Sequence, residues 1–164
     1  MNLRITEIFY SLQGETRTAG LPTVFVRLTG CPLRCQYCDT AYAFQGGQSL
    51  SLSEILAQVA DYASHSDVQV PVQERPPRYV TVTGGGPLAQ KNCLGLLAAL
   101  CDAGYDVSLE TSGALDVSAV DARVSKIVDI KTPASDESDK NLYSNIGYLT
   151  ARDHIKFVLC SRED

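Results

Sequence analysis

Three cysteines, Cys31, Cys35 and Cys38, stand close together in the spacing C-x3-C-x2-C. Thiolates at this spacing can wrap one side of a cubane 4Fe–4S cluster and leave its fourth iron without a protein ligand. A reactive cluster needs such an open iron, whereas a site closed by four cysteines transfers electrons or holds structure. The spacing therefore predicts a cluster that takes part in chemistry.

Zinc is the main alternative for these cysteines. Structural zinc usually joins a C-x2-C pair to a second pair of cysteines or histidines, and the only histidines of this chain are His65 and His154. The cluster is therefore the favoured interpretation, ahead of zinc and of three unrelated core cysteines. The other cysteines are predicted to be small core residues: Cys93, Cys101 and Cys160.

The elements that would position this loop alternate along the chain. Strands are predicted over residues 24–28, 79–83, 105–111, 126–130 and 154–160, with a further strand within residues 1–10. Helices are predicted over residues 51–63, 91–103 and 139–149, and the first of them has a capping sequence in Ser51, Ser53 and Glu54. Residues 70–78 are a proline-broken loop. The alternation favours an α/β fold with a parallel sheet and helices outside it.

The carboxyl ends of these strands carry small, polar or cysteine residues. They read TGCPLRC, TGGGP, ETSG and DIKTP. Because ligands bind at the carboxyl ends of parallel strands, these segments are expected to form the rim of a binding site.

Composition limits the kind of protein and of partner. A chain of 164 residues is long enough for one core, so a single domain over residues 1–164 is expected. The net charge of −5, without a cluster of Lys and Arg, favours a small-molecule partner over a nucleic acid. No run of 18 apolar residues and no signal peptide is present, so we expect no membrane association and a cytoplasmic location.

The motifs also resemble a known family. The cysteine loop after one strand and a GGxP-type turn after the next resemble the radical S-adenosylmethionine (SAM) superfamily. The segments EIFYSLQGE, GLPTVFVRLTGCPLRCQYCDTAYAF, TVTGGGPLAQ, LETSG and VDIKTP together resemble its 7-carboxy-7-deazaguanine synthases, over essentially the whole chain.

The resemblance implies a partial (β/α) barrel of the radical SAM type and a carbon–nitrogen lyase of queuosine biosynthesis, a tRNA modification pathway. Such a lyase converts a 6-carboxytetrahydropterin to 7-carboxy-7-deazaguanine with loss of ammonia. The resemblance further implies a 4Fe–4S cluster, SAM and Mg²⁺ as cofactors, an electron donor such as flavodoxin, and a homodimer.

Matched position by position, the resemblance also implies site residues. Arg27 would clamp the pterin carboxylate, with a salt bridge at the sheet end as its alternative, and the hydroxyl of Thr40 would be a hard oxygen ligand for Mg²⁺. Tyr37 would lie beside the adenine of SAM, or else be an ordinary loop aromatic. The implied SAM contacts are Tyr37, Cys38, Asp39, Gly85, Ser112 and Lys131, and the implied pterin contacts are Leu12, Gln13, Gly14, Glu15, Arg27 and Thr83.

Two features depart from the family pattern. The family turn GGEP is here Gly84-Gly85-Gly86-Pro87, so the glutamate that would hold the amino group of SAM is missing. One charge-assisted hydrogen bond is worth about ten- to hundredfold in affinity, so we expect Gly86→Glu to tighten SAM binding unless Gly86 needs a positive φ. The chain also ends at Asp164, where family members continue, so the C-terminal part of the family fold is expected to be missing.

Two other functions stay open at this point. A glycyl-radical-enzyme activase shares the cluster chemistry, but it would act on a protein and would need neither the LQGE turn nor Thr40. A non-catalytic regulatory derivative of the synthase would be consistent with Gly86 and with the short C-terminus.

Overall fold

The computed structural model describes residues 1–64, 79–162 and 164, so that His65 and the predicted loop 70–78 lie outside the described residues. The strands and α-helices are β1 (Asn2–Leu12), β2 (Pro22–Leu28), β3 (Gln48–Ser51), α1 (Leu52–Ser64), β4 (Tyr79–Gly84), α2 (Cys93–Asp102), β5 (Asp106–Ser112), β6 (Ser125–Asp129) and β7 (His154–Lys156). Short 3₁₀ turns cover Ala41–Phe44, Pro87–Ala89, Pro133–Ser135, Ser138–Lys140 and Tyr143–Tyr148.

These strands form one sheet in the order β3-β1-β2-β4-β5-β6-β7. Strands β2, β4, β5, β6 and β7 are mutually parallel, as predicted. Strand β1 is antiparallel to both of its neighbours, β2 and β3. The sheet is therefore mixed rather than wholly parallel, and it stays open between β3 and β7 as a partial barrel.

Alternation along the central strands separates an apolar face from a polar one. One face packs under the helices and forms the core, with Val24, Val26, Val80, Val82, Val107 and Leu109 against Ile55, Val59, Leu96, Leu97 and Leu100. The residues between them point to the other side of the sheet, where the register places Arg27 beside Thr83 and Phe25 beside Thr81. The same strands thus supply both the core and one wall of the cavity described below.

Helix α1 begins at the predicted capping sequence. The amide and hydroxyl of Ser51 donate to the Glu54 carboxylate over 2.7 and 2.6 Å, and the Glu54 amide donates to Ser51 Oγ over 3.3 Å. This reciprocal pair is a capping box, and its hydrogen bonds lower the pKa of Glu54. The helix starts and ends one residue later than predicted.

Two predicted elements near the C-terminus differ from the structure. Residues 139–149 form 3₁₀ turns instead of an α-helix, because Asn141 and Asn145 bond to neighbouring loops: Asn141 Nδ2 to the Lys131 carbonyl and Asn145 Nδ2 to the Gly113 carbonyl, over 2.8 and 3.1 Å. The predicted strand 154–160 ends at Lys156, since its partner β6 ends at Asp129.

The cysteines outside the motif also differ among themselves. Cys93 is fully buried in the core, and burial raises the pKa of its thiol to about 12. Cys101 is only partly buried against the core, and Cys160 is exposed. The prediction of a core position is therefore correct for Cys93 and wrong for Cys160. Among the described helices, none is long and apolar enough to cross a membrane.

Candidate active site

A cavity of about 400 Å³ opens at the carboxyl ends of the parallel strands. Nearly all of the site residues implied by the resemblance line it: Gln13, Gly14, Glu15, Arg27, Cys31, Cys35, Tyr37, Cys38, Asp39, Thr40, Thr83, Gly85, Ser112 and Lys131. Leu12 is the exception, because it ends β1 and the residue is 63% exposed. Residues far apart in sequence are thus brought to one rim, as the strand order requires.

The cysteine loop follows β2 and forms one side of the cavity. Burial raises the pKa of Cys31 and of Cys35, and the nearby motif thiols, Cys38 among them, raise both values further. The charge of Lys131 and, for Cys31, a hydrogen bond of 3.4 Å from the Leu33 amide act in the opposite direction. Three crowded, partly buried thiols are stabilised as thiolates when cationic iron binds them.

The donor set fits an iron–sulfur cluster. In a cubane each thiolate binds a different iron, so three thiols on one side of a cavity can hold a 4Fe–4S cluster with an open iron. Among residues 1–64, 79–162 and 164, no three Cys, His, Asp or Glu side chains are grouped so that they could hold one metal ion.

Where the cysteine loop meets the ends of β5 and β6, the cavity holds polar atoms that no other part of the described chain satisfies. Lys131 donates to Asp129 Oδ2 over 2.8 Å, and its ammonium lies 5.8 Å from the centre of the Tyr37 ring. Burial opposes the charge of Lys131, but the bond to Asp129 and the charge of that residue outweigh it, and the pKa of Lys131 is raised. Tyr37 Oη, Ser112 Oγ and Asp129 Oδ1 are buried without a hydrogen-bond partner among the described residues. Such atoms are the groups that a polar ligand would satisfy.

Arg27 is held rigidly on the sheet. Its Nε donates to Glu7 Oε1 over 2.7 Å, and its guanidinium lies 5.8 and 5.9 Å from the ring centres of Phe9 and Tyr42. Tyr42 donates to the same Glu7 oxygen over 2.8 Å. The salt bridge that was the alternative for Arg27 is therefore present. It uses Nε, which leaves the two terminal nitrogens of the guanidinium for a ligand carboxylate.

Opposite charges continue around the rim. Glu110 accepts hydrogen bonds from Gln13 Nε2 over 3.3 Å and from Thr83 Oγ1 over 3.1 Å. Lys156 pairs with Glu15 across the mouth of the cavity. Burial opposes the charge of Lys156, but Glu15, Glu110 and Asp129 more than compensate, and the pKa of Lys156 is raised.

Hard oxygen atoms lie together just beyond the cysteine loop. Thr40 Oγ1 donates to Asp39 Oδ1 over 2.7 Å, and both residues line the cavity. A hydroxyl oxygen beside a carboxylate provides two hard oxygen ligands of the kind that Mg²⁺ prefers.

The glycine turn after β4 packs directly on the cysteine loop. The Gly86 amide donates to the Gly30 carbonyl over 2.8 Å. A Cβ atom at Gly85 would lie 2.5 Å from the Gly30 carbonyl oxygen, and one at Gly86 would lie 2.6 Å from Cδ of Pro32. The φ of Gly86 is −149°, so its backbone does not demand glycine, but its contact with Pro32 does. The expected gain from Gly86→Glu is therefore opposed by a clash that the sequence does not reveal.

Several cavity residues were not predicted: Phe25, Leu33, Gly84, Glu110, Thr111, Ile127, Asp129, Lys156 and Val158. Glu110 and Asp129 lie in the segments LETSG and VDIKTP, two positions before the predicted residues Ser112 and Lys131. Their position on the polar side of the strands is a signal that alternation could have supplied. The contribution of β7, through Lys156, depends on sheet order and has no local signal.

Several known proteins resemble this chain in sequence. Residues 25–132 match the family model of the radical SAM superfamily. A 7-carboxy-7-deazaguanine synthase of Koribacter versatilis is 42% identical over 99% of this chain and 67% of its own length. The synthase of Chlorobaculum tepidum is also 42% identical, over 99% of this chain and 69% of its own length.

A solved structure shares the fold. The crystal structure of QueE from Escherichia coli matches 99% of this chain and 85% of its own with a TM-score of 0.66, at 21% sequence identity. The chain itself spans about two thirds of the length of the two synthases compared above. On these matches, the chain belongs to the radical SAM superfamily and, within it, to the family of 7-carboxy-7-deazaguanine synthases.

Proposed function

We propose that this chain is a radical SAM carbon–nitrogen lyase that converts a 6-carboxytetrahydropterin to 7-carboxy-7-deazaguanine with loss of ammonia. The observation that carries the proposal is one cavity whose walls combine three thiols, a clamped arginine and unpartnered buried polar atoms. The names of the relatives, which match nearly all of the chain, point to the same reaction.

Cys31, Cys35 and Cys38 would hold the cluster on the loop after β2. When bound, a reduced 4Fe–4S cluster and SAM supply a 5′-deoxyadenosyl radical that removes a hydrogen atom from the substrate. The protein's own part is to hold three thiolates on one wall and to keep the reacting groups in a confined cavity.

The SAM side of the cavity would be the wall that carries Tyr37, Ser112 and Lys131. Tyr37 Oη and Ser112 Oγ have no partner among the described residues, so a nucleoside hydroxyl or a carboxylate of the cofactor could satisfy them. The ammonium of Lys131 suits the SAM carboxylate. Cys38 and Asp39 are assigned to the same side because they follow Tyr37 in the chain, and the Gly85 backbone because it packs against Gly30 and Cys31.

The pterin side would be formed by β2, β4 and the turn that follows β1. Arg27 offers two terminal nitrogens to the pterin carboxylate, while Glu7 fixes its orientation. The amide and carboxylate groups of Gln13 and Glu15, and the Thr83 hydroxyl, suit the donor and acceptor edge of a pterin ring. Gly14 borders the same space, and Leu12 would act only through the turn that it begins, since its side chain is exposed.

Mg²⁺ would be bound by the Thr40 hydroxyl, with the remaining positions filled by substrate oxygens and water. The Asp39 carboxylate beside it adds the negative charge that draws a divalent cation to this corner. A homodimer, a flavodoxin-like electron donor and a cytoplasmic location belong to the same proposal.

The two alternatives are weaker. An activase acts on a protein, whereas this cavity is the size of a small ligand and the relatives over nearly the whole chain are synthases. A regulatory derivative draws its support from Gly86, but Gly86 also has a packing reason in its contact with Pro32.

One anaerobic experiment tests the proposal. The full chain is reconstituted with iron and sulfide and incubated with SAM, dithionite, Mg²⁺ and 6-carboxytetrahydropterin, and the deazaguanine is measured by mass spectrometry. Product from wild type and Cys93→Ala, and none from Cys35→Ala, is the expected result. A reconstituted cluster that cleaves SAM without making deazaguanine would contradict the substrate assignment.

A further inference from the structure

The loop that follows β6 grips the cysteine loop from outside the cavity. The Gln36 amide donates to the Ser135 carbonyl over 3.1 Å, and the Arg34 amide donates to the Glu137 carboxylate. These two amides flank Cys35 on either side. The backbone around the middle cysteine is therefore fixed by residues about a hundred positions later in the chain.

The gripping loop is itself well anchored. Ser135 is fully buried, and its hydroxyl donates to the Thr132 carbonyl over 2.7 Å. The Glu137 amide donates to the same hydroxyl over 3.0 Å, which aims the carboxylate back toward the cysteine loop. Asp136, between them, has a φ of 62° and makes the sharp turn that allows this.

The cysteine loop depends on hydrogen bonds from other parts of the chain, because the hydrogen bonds within the loop are short-range. Its segment 31–40 contains no helix or strand, and its internal hydrogen bonds are short-range ones, such as those from the Arg34 side chain to the Cys31 and Leu33 carbonyls, over 2.8 and 2.7 Å, and from the Cys38 amide to the Cys35 carbonyl, over 3.2 Å. A loop that must present three thiolates to one cluster gains from being set before the cluster arrives, since less conformational entropy is then lost on binding.

We propose that Glu137 is a positioning residue for the cluster, which together with Ser135 clamps the backbone on both sides of Cys35 and presets that thiol. The inference rests on the proposed cluster site at the three cysteines. Glu137 does not line the cavity; it contacts the cysteine loop through the Arg34 amide, and its negative charge also raises the pKa of the Cys35 thiol.

The test compares two substitutions at Glu137 with a matched control. Glu137→Ala removes the acceptor, and Glu137→Gln keeps an acceptor oxygen while it removes the charge. Asp139→Ala is the control, because Asp139 is a nearby carboxylate that pairs only with Lys140 among the described residues. Circular dichroism melting curves check that each variant folds.

The first measurement is hydrogen exchange of the apoprotein, read by mass spectrometry over residues 33–38. We expect exchange about tenfold faster in Glu137→Ala, the lower end of what a hydrogen bond to a charged group contributes. Glu137→Gln should stay within a fewfold of wild type, and Asp139→Ala should match it. Unchanged exchange in Glu137→Ala would overturn the clamp.

The second measurement is the rate at which a chelator removes iron from the anaerobically reconstituted protein. Iron loss should be about tenfold faster from Glu137→Ala than from wild type or Asp139→Ala. Equal rates in all variants would refute the positioning role, even if exchange differed. Failure of wild type to take up iron would instead sink the proposed function, and the exchange measurement would then decide on the clamp alone.

Discussion

Strands β2, β4 and β5 have one face that packs against the helices and one face that lines the cavity. Alternate residues of the same strands form the two faces. On the closed face, side chains such as Val82 and Leu109 are fully buried in apolar packing. On the open face, Thr83 and Glu110 bond to each other over 3.1 Å and still line the cavity. The difference teaches that stability and binding are assigned to neighbouring residues and can be altered separately.

The largest difference is expected between Cys31, which lines the cavity, and Cys93, which is buried in the core. Cys31→Ala should abolish the 4Fe–4S cluster, since no fourth cysteine lies near enough in sequence to replace it. Cys93→Ala should keep the cluster and lower the free energy of unfolding by about 1 kcal/mol, the usual effect of a small deletion in a core. Iron content and the EPR signal of the reduced protein measure the first effect, and thermal unfolding measures the second. A Cys31→Ala protein with four irons per chain would break the comparison.

Adjacent residues of β5 provide the next largest effect. Leu109→Ala should destabilise the fold by about 2–5 kcal/mol, because it opens a cavity in the fully buried face. Glu110→Ala should change the free energy of unfolding by no more than about 1 kcal/mol, because water in the cavity can replace the bonds to Gln13 and Thr83. Urea unfolding of both variants tests this, with turnover measured in parallel. A larger destabilisation by Glu110→Ala would mean that the open face also holds the fold together.

Thr40 tests the open face alone. Thr40→Ala should raise the Mg²⁺ concentration for half-maximal turnover about tenfold or more, as is common when a group that shapes a metal site is lost. Thr40→Ser keeps the hydroxyl and should remain close to wild type. Iron content should be unchanged in both. The assignment is wrong if turnover of wild type does not depend on Mg²⁺.

The smallest effect is expected at Gly86, where the turn after β4 packs on the cysteine loop. Gly86→Glu should destabilise the protein by about 1–3 kcal/mol through overpacking against Pro32, and any gain in SAM affinity should be masked. Gly86→Glu combined with Pro32→Ala removes that clash, and it should bind SAM more tightly than Pro32→Ala alone. Calorimetric titration of SAM into the reconstituted proteins measures the difference. No gain in the combined variant would show that a glutamate at this turn does not contact SAM in this chain.

Elements with a local signal were predicted well from the sequence. The spacing of Ser51 and Glu54 predicts the start of α1, and runs rich in β-branched residues predict β2, β4 and β5. Strand β3 (Gln48–Ser51) was not predicted, because it is short and polar and owes its conformation to pairing with Asn2–Ile5. The antiparallel direction of β1 likewise depends on how the strands assemble, and no residue type encodes it.

The site shows the same division between local and long-range information. The cysteine spacing and the strand ends predict most residues of the rim, and these residues do meet in one cavity. Lys156 was missed because its role depends on which strand lies next to which, whereas the alternation along β6 carries a signal for Asp129. The packing of Gly86 on Pro32 was missed for a similar reason: it joins two loops whose contact only the folded chain defines.

The ion pair of Glu15 and Lys156 has a consequence for the order in which the chain folds. These residues are 141 positions apart, so they meet only after the intervening strands have aligned. The mouth of the cavity is therefore a late product of folding rather than a feature of any one segment. A ligand that contacts both sides of the mouth binds only the fully folded chain. Its binding therefore stabilises the native state as a whole.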